Sequence, residues 1–180
     1  MKLLISLLLL CGALLAADKP GVWLDVPFVK QEKNGCGAAT IAMVMQYWFQ
    51  HTAKPQASGA DAAEIQRALY SREAHGIYNS DLEHYFQEHG FRTFAFRGTR
   101  DDLQHHLEKG RPLIVALKPQ AHSSELHYVV VTGLDRHQGI VFLNDPAQRK
   151  LLKQDWSTFE KQWSAVDQWT LLALPETQPE

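Results

Sequence analysis

The sequence predicts an α+β fold in which helices of the first half pack on an antiparallel sheet built mostly by the second half. Two observations predict it. Between residues 36 and 109 apolar residues recur at helical spacing in short segments that end at glycine or in loops. From residue 112 onward the apolar runs are short and rich in Val, Ile, Leu and Phe, as in strands. Helices followed by a sheet is an α+β order. A chain of 180 residues suits one domain, with no internal repeat and no low-complexity segment. A formal net charge of −2 carries no basic excess that would point to nucleic acid.

The first element is a targeting segment. Met1 and Lys2 precede an apolar run over residues 3–17, broken only by Ser6 and Gly12 and ending in Ala16 and Ala17. The run is shorter than the ~20 residues of a transmembrane helix. One basic residue, a leucine core and a small-residue exit describe a secretory signal peptide. An uncleaved anchor is the alternative; a lipoprotein would use Cys11, but Leu10 before it is not small. The expected organisation is a signal peptide over 1–17, one domain over 18–175 and a tail over 176–180. Export places the mature chain in a periplasmic or extracellular compartment without stable membrane association. Cleavage also removes Cys11 and leaves Cys36 as the single cysteine. A lone thiol in an oxidising compartment is a liability unless it is buried or used.

Residues 22–29 alternate loosely around Pro27 and read as an edge strand or an extended lead-in. Residues 36–49 form the first helix, with Ile41, Val44, Met45 and Trp48 at i, i+3, i+4, i+7 and with Asn34 or Gly35 as its cap. A loop over 51–60 contains Pro55 and Gly59. Asp61 and Glu64 offer a capping box for a helix to about Leu69. A third helix spans 80–89 and ends at Gly90; 91–96 is a strand; a fourth helix spans 101–109 and stops at Gly110. Strands follow at 112–117, 127–134 and 140–143, two of them apolar on both faces and therefore central. Residues 156–163 read as a short helix and 169–174 as a last strand.

Cys36 lies at a predicted helix start between Gly35 and Gly37. The partial positive charge of a helix N-terminus favours thiolate over thiol, and the small neighbours leave room for a substrate backbone. At about 100° per residue Cys36 points away from the apolar stripe, which favours a reactive thiol over a buried structural one. A thiolate nucleophile needs a base that also protonates the leaving group. Of nine histidines, His84, His89, His105 and His106 sit on polar helices, whereas His127 opens an apolar strand after a polar loop. Strands 127–134 and 140–145 should form a hairpin. If it is symmetric about Arg136, His127 lies opposite Asp145, close enough for the carboxylate to orient the imidazole; a change of one residue puts Asn144 there, which can do the same. Gln31, five positions before Cys36, could donate its amide to an oxyanion beside the Cys36 N–H.

This ordered set resembles the C39-like cysteine peptidases, the group related to bacteriocin-leader processing peptidases. The matching residues are Val26 to Gln31, Cys36-Gly37-Ala38-Ala39 with Met43, Tyr47 and Trp48, the run from His127 to Gly133, and Asn144-Asp145-Pro146. Trp169-Thr170-Leu171 extends the likeness over nearly all of the mature chain. The resemblance implies a papain-like fold, with Cys36 as nucleophile, His127 as base, Asp145 as orienting acid and Gln31 as oxyanion donor. It implies a peptide or protein substrate and no cofactor; one cysteine and scattered histidines show no metal-ligand spacing. Two features depart from the family pattern. Many relatives have the glutamine six residues before the cysteine rather than five. The processing peptidases are commonly the front end of a transporter, which this chain lacks, so it need not cut a double-glycine leader. The same triad also supports acyl transfer or amide hydrolysis, and a catalytically idle peptide-binding domain would keep the fold.

Overall fold

The computed structural model describes residues 21–52, 59–119 and 126–176. The expected signal peptide, Pro55 with its loop, the polar stretch 120–125 and nearly all of the expected tail lie outside the described residues. Those residues form five helices and a seven-stranded sheet in which every pairing is antiparallel.

The elements run in the order β1 (Val22–Trp23), α1 (Cys36–His51), α2 (Ala62–Leu69), α3 (Asn79–Glu88), β2 (Phe91–Arg97), α4 (Arg100–Glu108) and β3 (Leu113–Leu117). They continue with β4 (His127–Asp135), β5 (Ile140–Asn144), β6 (Leu152–Asp155), α5 (Trp156–Ser164) and β7 (Trp169–Pro175). The sheet order is β2-β7-β3-β4-β5-β6, and β1 pairs with β4 off this path. The two continuous apolar strands, β3 and β4, are central, as their composition requires. Strand β6 was not expected; its polar sequence Leu-Lys-Gln-Asp lies at a sheet edge, where apolar runs are not required.

Local chemistry sets most boundaries. The Asp61 carboxylate accepts from Glu64 N at 2.9 Å and caps α2. Thr99 and Asp102 form a full capping box that starts α4 one residue before the expected helix. Gly90 and Gly110, at φ 78° and 69°, stop α3 and α4. Gly133 answers a different need. A Cβ there would stand 2.6 Å from Val22 O, so only glycine lets β1 lie against β4.

Helix α1 is buried on more faces than its stripe predicts. Ala38, Ala39, Ala42 and Met43 are as buried as Ile41, Val44 and Met45, because α2, α3 and β4 all pack around the helix. Its small residues permit that approach: a Cβ on Gly37 would come within 3.1 Å of Ile77 Cβ. Trp48 Nε1 also donates to Ala173 O at 3.0 Å, pinning α1 to β7. Helix α5 packs on β3, β5 and β6, and its Phe159 and Trp163 are fully buried and contribute roughly 2–3 kcal/mol each through removal from water.

Candidate active site

Cys36 is the first residue of α1 and is half-buried. Gly35 is the N-cap and no side chain caps the helix. The first N–H groups of a helix have no intrahelical acceptor, so the Cys36 amide remains available to a ligand. The Cys36 side chain and His127, at the beginning of β4, line one cleft and are close enough for the cysteine to raise the proton affinity of the imidazole. His127 Nε2 donates to Asp145 Oδ1 at 2.8 Å. With Nε2 committed to the carboxylate, Nδ1 is the nitrogen left for the sulfur.

Asp145 is 4% exposed and fully bonded. Besides His127, its Oδ1 accepts from Ala147 N at 2.9 Å, and its Oδ2 accepts from Gln148 Nε2 at 2.6 Å. Burial works against its charge, but the hydrogen bond and charge of His127, with Ala147 and Gln148, hold the carboxyl below the usual carboxylate range. Burial likewise disfavours a charged His127; the hydrogen bonds and charges of Asp145 and Cys36 outweigh it and lift the imidazole to about 9. Sequence reasoning missed Gln148, and nothing in its spacing marks it: it reaches Asp145 only because residues 145–149 fold into a tight turn, with Gln148 N donating to Asp145 O at 3.0 Å.

The hairpin register differs from the expected one. The turn lies around 136–139, Asp135 pairs with Ile140, and a bulge between Val131 and Gly133 shifts the ladder so that Val130 pairs with Asn144. His127 therefore does not lie directly opposite Asp145. Continuing the register puts Asp145 level with Val129, whose side chain shares a face with that of His127, and the two residues meet diagonally. Asn144 points elsewhere. It is fully buried, its Nδ2 donates to Val26 O at 3.0 Å and its Oδ1 accepts from Leu151 N at 3.0 Å. It staples the lead-in segment to the β5–β6 turn and is not available to His127.

Gln31 lines the same cleft as Cys36 and His127. Its backbone N–H donates to Pro146 O at 3.0 Å, which ties the glutamine to the turn that carries Asp145. Its Oε1 is buried without a partner. The cleft has a volume of about 1200 Å³. One wall is the segment from Ala74 to Ser80, held to the sheet by Tyr128, whose single hydroxyl proton lies between Asn79 Oδ1 and Ile77 O as acceptors. Burial, then the Cys36 charge, pushes the Tyr128 hydroxyl well above its ordinary value, so it stays a neutral donor. The other wall is built by the ends of β3 and β4, by β6 and by α5. Of the segment 118–126 expected to line the cleft, Pro119 and Leu126 do so; 120–125 lies outside the described residues. The helical histidines are less uniform than expected. His106 is half-buried, and burial followed by Arg111 and His105 holds its pKa down. His89 stacks on Tyr85. Among the described residues no group of three His, Cys, Asp or Glu is placed to hold a metal ion.

A cysteine at a helix start, beside a histidine–carboxylate pair at the rim of an antiparallel sheet, is the arrangement that cysteine peptidases use. The chain belongs to the peptidase C39-like family, whose model matches residues 23–170. No curated protein matches the sequence at a significant level. Solved structures share the fold. A C39-like peptidase from Bacillus anthracis is 16% identical, with a TM-score of 0.67 over 89% of this chain and 100% of that one. The peptidase domain of Streptococcus ComA, a bifunctional ABC transporter of a quorum-sensing pathway, is 17% identical, with a TM-score of 0.61 over 83% and 98%. A double-glycine-motif protease from an AMS/PCAT transporter, solved with its leader peptide, is 20% identical, with a TM-score of 0.62 over 87% and 99%.

Proposed function

We propose that this chain is an exported peptidase, periplasmic or extracellular, that hydrolyses a peptide bond through a thioester on Cys36. The observation that carries the reading is His127, hydrogen-bonded to Asp145 and sharing with Cys36 the wall of a cleft large enough for an extended peptide. His127 takes the proton of the Cys36 thiol, and the sulfur attacks the carbonyl carbon. The Cys36 N–H and the Gln31 amide donate to the oxygen as it gains charge. His127 then passes its proton to the leaving amine, the C–N bond breaks, and the acyl group remains on sulfur. Water gives a proton to His127 and attacks the thioester; the acid is released, and the proton returns to the sulfur. Asp145 fixes the imidazole orientation and stabilises its charged form throughout.

A peptide substrate agrees with the leader peptide bound by the transporter protease. The test is incubation of the purified protein with a diverse peptide library, with cleavage sites read by mass spectrometry. Cleavage that disappears in Cys36→Ala at unchanged melting temperature is expected. Cleavage that survives the substitution would overturn the assignment.

A further inference from the structure

We propose that Gln154 and Gln162 form a substrate subsite for a carboxamide side chain, that of asparagine or glutamine. The proposal rests on the peptidase reading and names the chemistry its cleft selects.

Gln154 on β6 and Gln162 on α5 both line the cleft. Gln154 Nε2 donates to Gln162 Oε1 at 2.8 Å. That bond uses one donor and one acceptor and leaves Gln154 Oε1 and Gln162 Nε2 side by side. Turning both amides over exchanges the roles and again leaves one acceptor and one donor. A primary carboxamide is the complement: its oxygen accepts from one glutamine while its NH₂ donates to the other. A carboxylate would set oxygen against oxygen. A lysine would set its ammonium against an amide N–H. An apolar side chain would strip both groups of water and pair neither.

Among the described residues, the charged side chains lining this wall are Asp145, engaged by His127, and Lys153, whose Nζ lies 5.7 Å from the centre of the Phe142 ring and which alternates along β6 with Gln154. The pair is also held rigidly. Gln162 lies on α5 between Phe159 and Trp163, both fully buried, and its carbonyl accepts from Lys118 N at 3.1 Å. Lys118 follows Leu117, the residue paired with His127, so the subsite is tied to the strand end that carries the base. Gln154 is fixed by the pairing of β6 with Val141. Thr158, one helical turn before Gln162, adds a hydroxyl to the same lining. A preorganised polar pair rejects ligands that leave it unpaired, and about one net hydrogen bond corresponds to roughly tenfold in selection.

The test has two arms. In the first, the Cys36→Ala protein is exposed to a randomised octapeptide library and the retained peptides are sequenced. Enrichment of Asn or Gln over Asp, Glu, Lys and Met at one position, by about tenfold, is expected. It should vanish in Cys36→Ala combined with Gln162→Glu, which presents two acceptors, and separately with Gln154→Met, each checked by melting temperature. No enrichment, or enrichment that survives both substitutions, overturns the subsite. In the second arm the unmodified protein is given the same library. Cleavage without a carboxamide preference overturns the subsite and keeps the peptidase. Retention of Asn- or Gln-bearing peptides without any cleavage supports the subsite and overturns the peptidase.

Discussion

Replacing Asp145 by asparagine removes one charge and leaves the outline of the side chain in place. Oδ1 still faces His127 and Ala147 N; the new NH₂ group faces Gln148, whose amide turns over so that its oxygen accepts. What is lost is the carboxylate's hold on the imidazolium. Lifting His127 from its ordinary 6.5 to about 9 corresponds to roughly 3 kcal/mol, at about 1.4 kcal/mol per tenfold change in proton affinity. Asp145 exerts the first of the raising influences and Cys36 the next, both against burial, so removing the carboxylate should cost on the order of 2 kcal/mol. This stabilisation is fully present below about pH 6.5, where the imidazole is charged in both the folded and the unfolded chain. It is lost as pH rises through about 9, where the folded form also becomes neutral. Acid acts on the other partner: Asp145, held low, keeps its contribution above the ordinary carboxylate range and loses it as pH falls through its depressed value. Thermal melts of the parent and Asp145→Asn proteins between pH 5.5 and 10 read this directly, without a substrate. At pH 6 the variant should melt about 4–8 °C lower, since each kcal/mol moves a domain of this size by roughly 2–4 °C. By pH 10 the two curves should nearly coincide. A gap of the same size at every pH would mean that the substitution disturbs packing and that no ion pair is present.

Gln31→Ala should lower kcat and kcat/KM together by on the order of 10²-fold with little change in KM, while iodoacetamide still alkylates Cys36, because alkylation develops no oxyanion; a change in KM alone would reassign Gln31 to uniform substrate binding. Asn144→Ala should lower the melting temperature strongly, since it leaves buried Val26 O and Leu151 N without partners at about 1–3 kcal/mol each; an unchanged melting temperature with lost turnover would contradict its structural role.

The fold was legible wherever side-chain periodicity reports burial. The four helices of the first half and the strands β3, β4 and β5 stand close to where the sequence puts them. Strand β6 was not, because an edge strand with the sequence Leu-Lys-Gln-Asp carries no apolar alternation. The burial of α1 on most faces was also hidden: alanines and glycine weaken an amphipathic pattern whether they face the core or solvent. Within the site, Cys36, His127 and Asp145 could be singled out because each lies at an element boundary, where a polar residue beside an apolar run is conspicuous. Their mutual geometry could not be computed from loop length, since the turn is centred between His137 and Gln138 rather than on Arg136 and the bulge at Val131–Gly133 then moves the register by one residue. The Tyr128–Asn79 brace joins segments far apart in the chain, which residue spacing does not encode; Ala147 and Gln148 reach Asp145 through a local turn and Gln154 meets Gln162 at the β6–α5 corner, and no apolar pattern marks either.

The order of the sheet bears on when this chemistry can begin. The last strand, β7, lies between β2 and β3, and its Ala173 carbonyl holds Trp48 of α1. The Gln31 backbone in turn leans on Pro146. The nucleophile's helix packs directly on the base's strand, and β7 adds a further tie through Trp48. A molecule in which β7 is not seated holds all of the reactive groups but lacks the Trp48–Ala173 tie that steadies the helix of Cys36. Full alignment of the site should therefore depend on β7 being seated between its two neighbours.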